Sequence, residues 1–525
     1  MADRTKAIEE AVSFITGKRN LGEKELLELK KHLSLRYGLS ELLRNSEIYE
    51  KIPEAKRTRR LTRLLRIRPV RSFSGVSVVA VMTPPSKCPG SCIYCPGGSD
   101  SPKSYTGFEP AARRAKQNEF DPFKQVSARL RQLESIGHSP EKCELIVMGG
   151  TFNALPRHFQ QDFVKHALDA FNGIESRNLE QSKKLNECAA HRVVGICFET
   201  RPDFASEKQV SSLLELGATR LELGVQTLSD EVYQRVGRGH TKKEVIEATR
   251  VCKDALLKVG YHYMPGLFVE RKRDVRMFRE LFENPAFRPD MLKIYPCLVV
   301  PGTKLFTMWK RGEYSPYEAE DAAEVIAEMK RFIPPYCRVM RVDRDIPTDL
   351  IAAGVRKSNL RQLVKQRMEE KGTKCRCIRC REIGLRTLKE NLKIDWNALE
   401  LKRRDYEASG GKEVFLSFED EENDALIGFL RLRKPSEKIF RKEITENSLG
   451  IRELHVYGEQ VGIGKKEITA AQHKSFGKKL VEEAERISRG EFGAEKLLVI
   501  SGVGVKPYYR KLGFRDDGVY LSKKL

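Results

Sequence analysis

Residues 76–97 read VSVVAVMTPPSKCPGSCIYCPG. The apolar run Val76–Met82 has the composition of a buried strand, and it leads into Cys88, Cys92 and Cys95 at the spacing C-x3-C-x2-C. Three thiolates so spaced suit a [4Fe-4S] cluster whose fourth iron has no protein ligand. That open iron is where S-adenosylmethionine chelates and is reductively cleaved. A zinc knuckle is the competing reading. It calls for a fourth Cys or His nearby, and none follows before His138.

Working outward from this loop, strand-like runs recur at Leu145–Met148, Val193–Phe198, Arg220–Leu223, Tyr261–Met264 and Leu292–Tyr295. Each is followed by a polar, helix-periodic segment, as in Glu207–Leu216 and Lys242–Leu257. Six such units in a row predict an α/β fold: a parallel sheet curved into a partial (β/α)6 barrel, with chemistry at the C-terminal ends of its strands. Gly149-Gly150-Thr151 closes the second strand, Glu199-Thr200-Arg201 the third and Gly224-Val225-Gln226 the fourth. Glycines at such an end let the backbone approach a ligand. Gly149, Gly150, Glu199 and Gln226 are therefore the candidate S-adenosylmethionine contacts. Lys293 lies within the strand LKIYP and is expected to point into the barrel, where a buried lysine needs an anionic partner or a role.

The chain has 525 residues, enough for two to four domains, with 96 Lys+Arg against 73 Asp+Glu, a net charge of +23 and a pI near 9.4. This excess points to a polyanionic partner, most simply nucleic acid; a heavily solvated surface is the plainer alternative. The charge is concentrated. Residues 51–71 carry nine Lys/Arg against the single acid Glu54, and 356–381 form a second basic run. No long apolar stretch and no apolar N-terminal segment occur, so a cytoplasmic protein with no membrane contact is expected. Twelve cysteines then read as metal ligands and buried thiols, with Cys143, Cys188, Cys197 and Cys252 assigned to the core. Four regions follow: a basic helical region at 1–75 suited to nucleic acid (tRNA, on the resemblance given below), the barrel at 76–335, a basic connector at 336–385, and a domain of different character at 386–525.

That last domain begins with hairpin-like strands, Glu413–Phe418 and Ala425–Leu432. A strand at Ile451–Tyr457 precedes Gln472-His-Lys-Ser475-Phe476-Gly477-Lys478-Lys479, which opens the helix Phe476–Ile487. Consecutive N–H groups at such a start can cradle a pyrophosphate. Further on, GVGVKPYYRKLGF places Tyr509 four residues before Gly513-Phe514. Loop, element order and Tyr-x-x-x-Gly-Phe resemble the GNAT acyltransferases, α+β domains in which the tyrosine serves the coenzyme A thiolate. Ser475 stands where that loop usually has its first glycine.

A radical barrel joined to an acyl-CoA domain, with the segments SYTGFEPAARRA, VMGGTFNALP, LELGVQTLSDEV, LKIYPCLVVPGT and ISGVGVKPYYRKLGF, resembles the catalytic subunit of Elongator in its stand-alone archaeal and bacterial form. The resemblance implies a tRNA-modifying enzyme that makes 5-carboxymethyluridine at wobble uridine 34. Acetyl-CoA supplies the acetyl group through a radical S-adenosylmethionine mechanism with thioester hydrolysis. It places acetyl-CoA contacts at Lys142, Glu453, Leu454, His455, Val456, Gln472, Phe476, Gly477, Lys478, Lys479 and Tyr509. Tyr509 and Lys293 become the catalytic candidates, Lys293 for polarising the acetyl carbonyl or the uracil. The tRNA anticodon stem-loop, an electron donor and a second copy of the chain are the partners carried forward. For direct reaction, the acyltransferase domain is expected to dock against the barrel mouth.

Cys375, Cys377 and Cys380 form a second metal candidate, suited to zinc; the fourth ligand is a distant His or Cys that the sequence does not choose, Cys337 and Cys297 among them, and free thiols are the alternative. Two other functions compete: a protein lysine acetyltransferase with a structural iron–sulfur cluster, and a silent tRNA-binding scaffold.

Overall fold

In the computed structural model, the residues described are 2–18, 20–67, 74–97, 100–344, 346–390, 392, 394–458 and 475–525. One sheet holds β1 (Ser77–Met82), β2 (Lys142–Met148), β3 (Arg192–Thr200), β4 (Arg220–Gln226), β5 (Lys258–Tyr263), β6 (Met291–Ile294) and β7 (Arg338–Val342), in sequence order. All neighbours pair in parallel. This is the order a run of right-handed β/α units produces. The helices between strands start where the sequence signals it. Ser206 with Gln209, and Thr241 with Glu244, form capping boxes for Glu207–Glu215 and Lys242–Asp254. Val210, Leu213 and Leu214 on the first, and Val245, Ala248 and Val251 on the second, bury one face in the core.

The seventh strand extends the expected six into the stretch read as a connector. Its sequence, Arg338-Val339-Met340-Arg341-Val342, buries Val339 and Val342, three residues apart across a register shift, and the two arginines break the apolar run so that charge masks the strand. Cys188, assigned to the core, is exposed: it follows the end of the helix Leu179–Asn186, whereas Cys143, Cys197 and Cys252 are buried.

The C-terminal sheet comprises β8 (Glu400–Ala408), β9 (Gly411–Asp420), β10 (Ala425–Lys434), β11 (Ser448–Val456), β12 (Lys496–Val499), β13 (Arg515–Asp517) and β14 (Tyr520–Lys524), ordered β13-β14-β12-β11-β10-β9-β8. β8 to β11 are antiparallel, and β12 lies parallel to β11 after the helix Phe476–Gly490. β11 pairs with β12 over Ser448–Ile451 and runs on to Val456, beyond the end of β12.

The C-terminal sheet does not dock at the barrel mouth. Because all seven barrel strands are parallel, their starts share one end, and the contacts fall there. Tyr520 Oη donates to Ala255 O (3.0 Å) and Arg452 Nη2 to Leu257 O (2.7 Å), both just before β5. Arg431 Nη2 donates to Tyr336 O (2.7 Å), just before β7. A Cβ on Gly502 or Gly504 would collide with the backbone at the start of β3. Charged side chains, which look like surface in a sequence, carry this seam. Lys253, Asp254 and Asp290 of the barrel meet Glu413, Arg431, Arg433, Arg452 and Glu453 of the C-terminal sheet, all buried. Arg452 reaches Asp290 at 2.5 Å and Glu413 at 2.9 Å, and Arg433 reaches Asp254 at 2.6 Å and Glu413 at 3.0 Å. Stranding one member of such a buried set costs about 3–5 kcal/mol, so the two halves are held in fixed register.

The N-terminal helices Ala2–Gly17, Glu23–Arg36, Asn45–Lys51 and Arg59–Leu65 enclose a small core of their own, including Ala11, Ile15, Leu33, Ile48 and Leu65. Among the described residues, no helix is long and apolar enough to cross a membrane.

Candidate active site

The three half-buried thiols follow β1 at the strand-end face of the barrel. Their loop is pinned from several sides. Ile93 N donates to Val236 O (3.0 Å), and Leu305 N donates to Ile93 O (3.0 Å). The buried Arg238 donates to Cys92 Sγ (3.4 Å) and to Gly224 O, where a Cβ on residue 224 would strike the guanidinium. Glycine in Gly224-Val225-Gln226 is thus required by Arg238. Arg201 is clamped to Asp203 (2.9 and 2.8 Å) and to Arg238 O (2.6 Å), while its Nη1 is buried without a hydrogen-bond partner and faces Gly90, whose Cβ would collide with it. Three thiols, a neighbouring buried cation and an orphaned donor at the loop fit an anionic iron–sulfur cluster. Burial raises the Cys95 thiol to about 11, so ligation has to displace its proton. Tyr94, Val236, Met264, Leu267, Cys297 and Leu305 pack as one apolar cluster against this loop and screen it from water.

Gly149 (φ +137°) and Gly150 (φ +78°) turn the chain at the end of β2, and a Cβ on Gly149 would strike Thr83. Gln226 adopts φ +70° at the end of β4, a strained position for a residue with a side chain. Both strand ends lie on the cluster's side of the barrel. Glu199 is used inward: its Oε2 accepts from Tyr105 (2.7 Å), and its Oε1 lies 2.9 Å from Lys293 Nζ.

Lys293 is the centre of a buried polar cluster that spans the barrel. It pairs with Glu199 and Glu222, and His262 Nε2 lies 2.8 Å from Glu222 Oε2. Arg220 closes the cluster on Glu144 (2.5 Å) and Glu222 (3.2 Å). Burial favours neutral Lys293, but Glu199 and Glu222 outweigh it and hold the ammonium well above its ordinary value. Burial likewise acts to raise Glu222, and Lys293 and Arg220 override it, leaving the carboxyl well below the usual range. Glu222, His262 and Tyr105 were not singled out in the sequence. Their only signal is a charged or polar residue inside an apolar strand or signature segment.

At the far end, Ser475 takes φ +60°, the conformation for which related loops use glycine. The next residues begin a helix whose first N–H groups are available to an anion. Gly477 lies beside Leu454 and Val456, its Cβ position 3.8 Å from each and 3.0 Å from Tyr508 Oη. Phe476 packs on Phe418 (4.9 Å), Lys479 lies over the Phe476 ring, and Lys478 pairs with Glu482 at the surface. Glu453 is held by Arg431 (2.8 Å), and His455 Nε2 lies 3.1 Å from Ser74 O with its ring against Tyr457. Tyr509 is buried against Tyr508 and Phe514, and burial raises its hydroxyl. Lys142, half-buried at the start of β2, pairs in register with Arg192, on which Gly504 rests; burial lowers its ammonium. Gln472 lies outside the described residues.

Cys375, Cys377 and Cys380 bring their sulfurs within 4.8 Å of one another. Ile378 N donates to Cys337 O (3.0 Å), so Cys337 is adjacent, whereas Cys297 belongs to the apolar cluster at the other metal loop. Of the basic block, Arg57 donates to Ile52 O (3.0 Å) and stacks on Tyr49, and Arg60 donates to Lys18 O (2.6 Å). These two arginines help hold the helical region together.

A parallel half-barrel with a three-cysteine loop at its strand ends defines a radical S-adenosylmethionine enzyme. Residues 82–282 match the Radical SAM superfamily, 289–370 the Radical_SAM C-terminal domain and 4–73 the ELP3 N-terminal domain. The chain is 52% identical over 490 residues to the tRNA uridine(34) acetyltransferase of Methanocaldococcus jannaschii, covering 92% of this chain and 90% of that one. It is 45% identical to human Elongator complex protein 3, covering 95% and 93% respectively. The solved structure of archaeal Methanocaldococcus infernus Elp3, lacking residues 1–46, superposes with a TM-score of 0.78 at 48% identity, covering 86% of this chain and all of that one. The chain belongs to the Elongator complex protein 3 family.

Proposed function

We propose that this enzyme modifies wobble uridine 34 of tRNA, building a carboxymethyl group on C5 from acetyl-CoA. The observation that carries this reading is the Lys293 cluster, buried inside the barrel whose strand ends carry the thiol loop and whose strand starts meet the C-terminal sheet. The names borne by close relatives point the same way.

A cluster held by Cys88, Cys92 and Cys95, with S-adenosylmethionine and an electron donor, supplies one-electron chemistry at the mouth. The chain's own residues do the rest. Lys293, kept protonated by two carboxylates, offers a fixed cation to an oxygen that gains charge, the acetyl carbonyl or a uracil carbonyl. His262 on Glu222 can hold or pass a proton beside it. At the far end, the helix start at Phe476–Lys479 and the Lys142 cation suit the coenzyme's phosphates. Tyr509 stands on that side of the seam as the hydroxyl for the thioester. The tRNA reaches the mouth, and the coenzyme binds on the C-terminal domain. The cysteine triplet is read as a zinc pin between the domains, with Cys337 nearby.

The test is nucleoside mass spectrometry of tRNA incubated without oxygen with reduced protein, S-adenosylmethionine and acetyl-CoA. Appearance of 5-carboxymethyluridine at position 34 supports the reading. Acetylated protein with unmodified tRNA would instead establish the lysine acetyltransferase alternative.

A further inference from the structure

Phe108 is 49% exposed and lies three residues after Tyr105, whose hydroxyl reaches Glu199 in the barrel. Its neighbours Tyr105, Ala111 and Phe120 pack with Met82, Ala112 and Ala115 in a small apolar cluster, but Phe108 takes no part in it. The turn that carries it is tightly tied. The Glu109 carboxylate accepts from Thr106 N (2.9 Å) and Gly107 N (3.1 Å), and Phe108 N donates to Thr106 Oγ1 (3.3 Å). The ring is therefore presented outward by a pre-organised turn.

What surrounds it is cationic. Arg113 lies over the ring at 5.8 Å and Lys116 at 5.9 Å, and Arg113 makes no ion pair among the described residues. The ring borders an open cleft of about 470 Å³ whose lining includes Arg113, Arg114, Arg129, Gln117 and Asn118, and no carboxylate. An aromatic face, guanidinium groups and amide side chains together suit a nucleotide: the face stacks a base, the cations meet phosphate, and the amides meet base edges. Three residues upstream, Tyr105 reaches into the barrel and hydrogen-bonds Glu199 (2.7 Å).

We propose that Phe108 is a stacking platform for an unpaired RNA base, the neighbour of the nucleotide that enters the barrel. This rests on the tRNA reading above. A base drawn into the barrel leaves its neighbour with an exposed face, and Phe108 replaces the lost stacking partner.

The test measures binding of the full chain to an anticodon stem-loop RNA with uridine at position 34, and to a fully paired RNA duplex of the same length. Phe108→Ala should weaken stem-loop binding about 5- to 160-fold, the range expected for loss of one stacked base, and leave duplex binding unchanged. Phe108→Tyr should restore the stem-loop affinity. Arg113→Ala should weaken both ligands and flatten the salt dependence. If wild type binds the stem-loop and Phe108→Ala binds it equally well, the platform is overturned while the tRNA reading stands; a docking site for protein would give that result. Equal weakening on stem-loop and duplex also overturns it, because stacking requires an unpaired base. Failure of wild type to bind the stem-loop overturns the tRNA reading and the platform together.

Discussion

Replacing Lys293 by methionine keeps a long unbranched stem and removes only the ammonium that Glu199 (2.9 Å) and Glu222 share. Glu222 retains Arg220 at 3.2 Å and His262 at 2.8 Å, and Glu199 retains the Tyr105 hydroxyl at 2.7 Å. The uncompensated charge therefore falls mainly on Glu199. Removing one partner of a buried pair costs about 3–5 kcal/mol. The cost depends on pH with a definite sign. In the wild type both carboxyls sit below their ordinary range, so their contribution is present above about pH 4.3 and is lost only as pH falls through the lower folded values. Lys293 sits above its ordinary value, so its contribution is full everywhere below about pH 10. The cluster's contribution is thus flat from pH 5 to 8. In the variant a stranded carboxyl takes up a proton that the unfolded chain does not bind. Stability then rises as pH falls, by up to about 1.4 kcal/mol per pH unit. Unfolding midpoints of the two full chains, equally loaded with iron, should differ most at pH 8 and converge toward pH 5. Product formation should fall at least about 100-fold, on the scale of a lost electrostatic stabiliser, and should not recover at pH 5. A stability gap that stays constant from pH 5 to 8 would refute the reasoning.

Gly477→Glu puts a carboxylate at the helix start and presses on Tyr508 Oη, 3.0 Å from the Cβ position, so acetyl-CoA affinity measured by calorimetry should fall more than about tenfold with iron content unchanged. Unaltered affinity would remove that helix start from the coenzyme site. Arg238→Leu takes a buried cation from Cys92 Sγ (3.4 Å), and the cluster midpoint in a spectroscopic redox titration should shift negative by about 65–130 mV, the one-electron equivalent of one charge-assisted hydrogen bond. An unmoved potential with full iron would show that Arg238 serves only the fold. Metal analysis should find zinc beside iron in wild type and a loss of the zinc alone in Cys377→Ser; equal zinc in both would dismiss the triplet as a site. Asp290→Asn takes a buried carboxylate from Arg452 (2.5 Å) and Lys253 (3.4 Å), leaves Arg452 only the carboxylate of Glu413, and should cost about 3–5 kcal/mol, read as a fall in the unfolding midpoint; a change below 1 kcal/mol would mean that the seam tolerates the loss.

The barrel was legible because its strands are short apolar runs, each followed by an amphipathic helix with a cap at its start, as at Ser206 and Thr241. β7 escaped because Arg338 and Arg341 break its apolar run. The docking end was hidden for the same kind of reason. Arg431, Arg433 and Arg452 read as surface charge, and Gly502 and Gly504 read as loop residues, yet all five lie against the barrel. In the site, the cysteine loop stood out as a local pattern, whereas the Lys293 cluster did not. Its members come from β3, β4, β5 and β6, so only the parallel order of those strands brings Glu199, Glu222, His262 and Lys293 together.

The buried seam also bears on modularity. The barrel contributes Lys253 against Asp254 and Asp290, an excess of negative charge, whereas the C-terminal sheet contributes Arg431, Arg433 and Arg452 against Glu413 and Glu453, an excess of positive charge. Arg250 of the barrel also reaches Asp254 (3.4 Å), but the shortest contacts of Asp254 and Asp290 come from Arg433 and Arg452 across the boundary. Severed, each would present unmatched charge set among apolar side chains, a surface suited neither to water nor to a foreign partner. An acyltransferase borrowed from elsewhere would bring no matching set, so grafting one onto this barrel requires transplanting the seam as a unit. A change at Asp290 or Arg452 therefore disturbs the charge balance on both sides of the boundary.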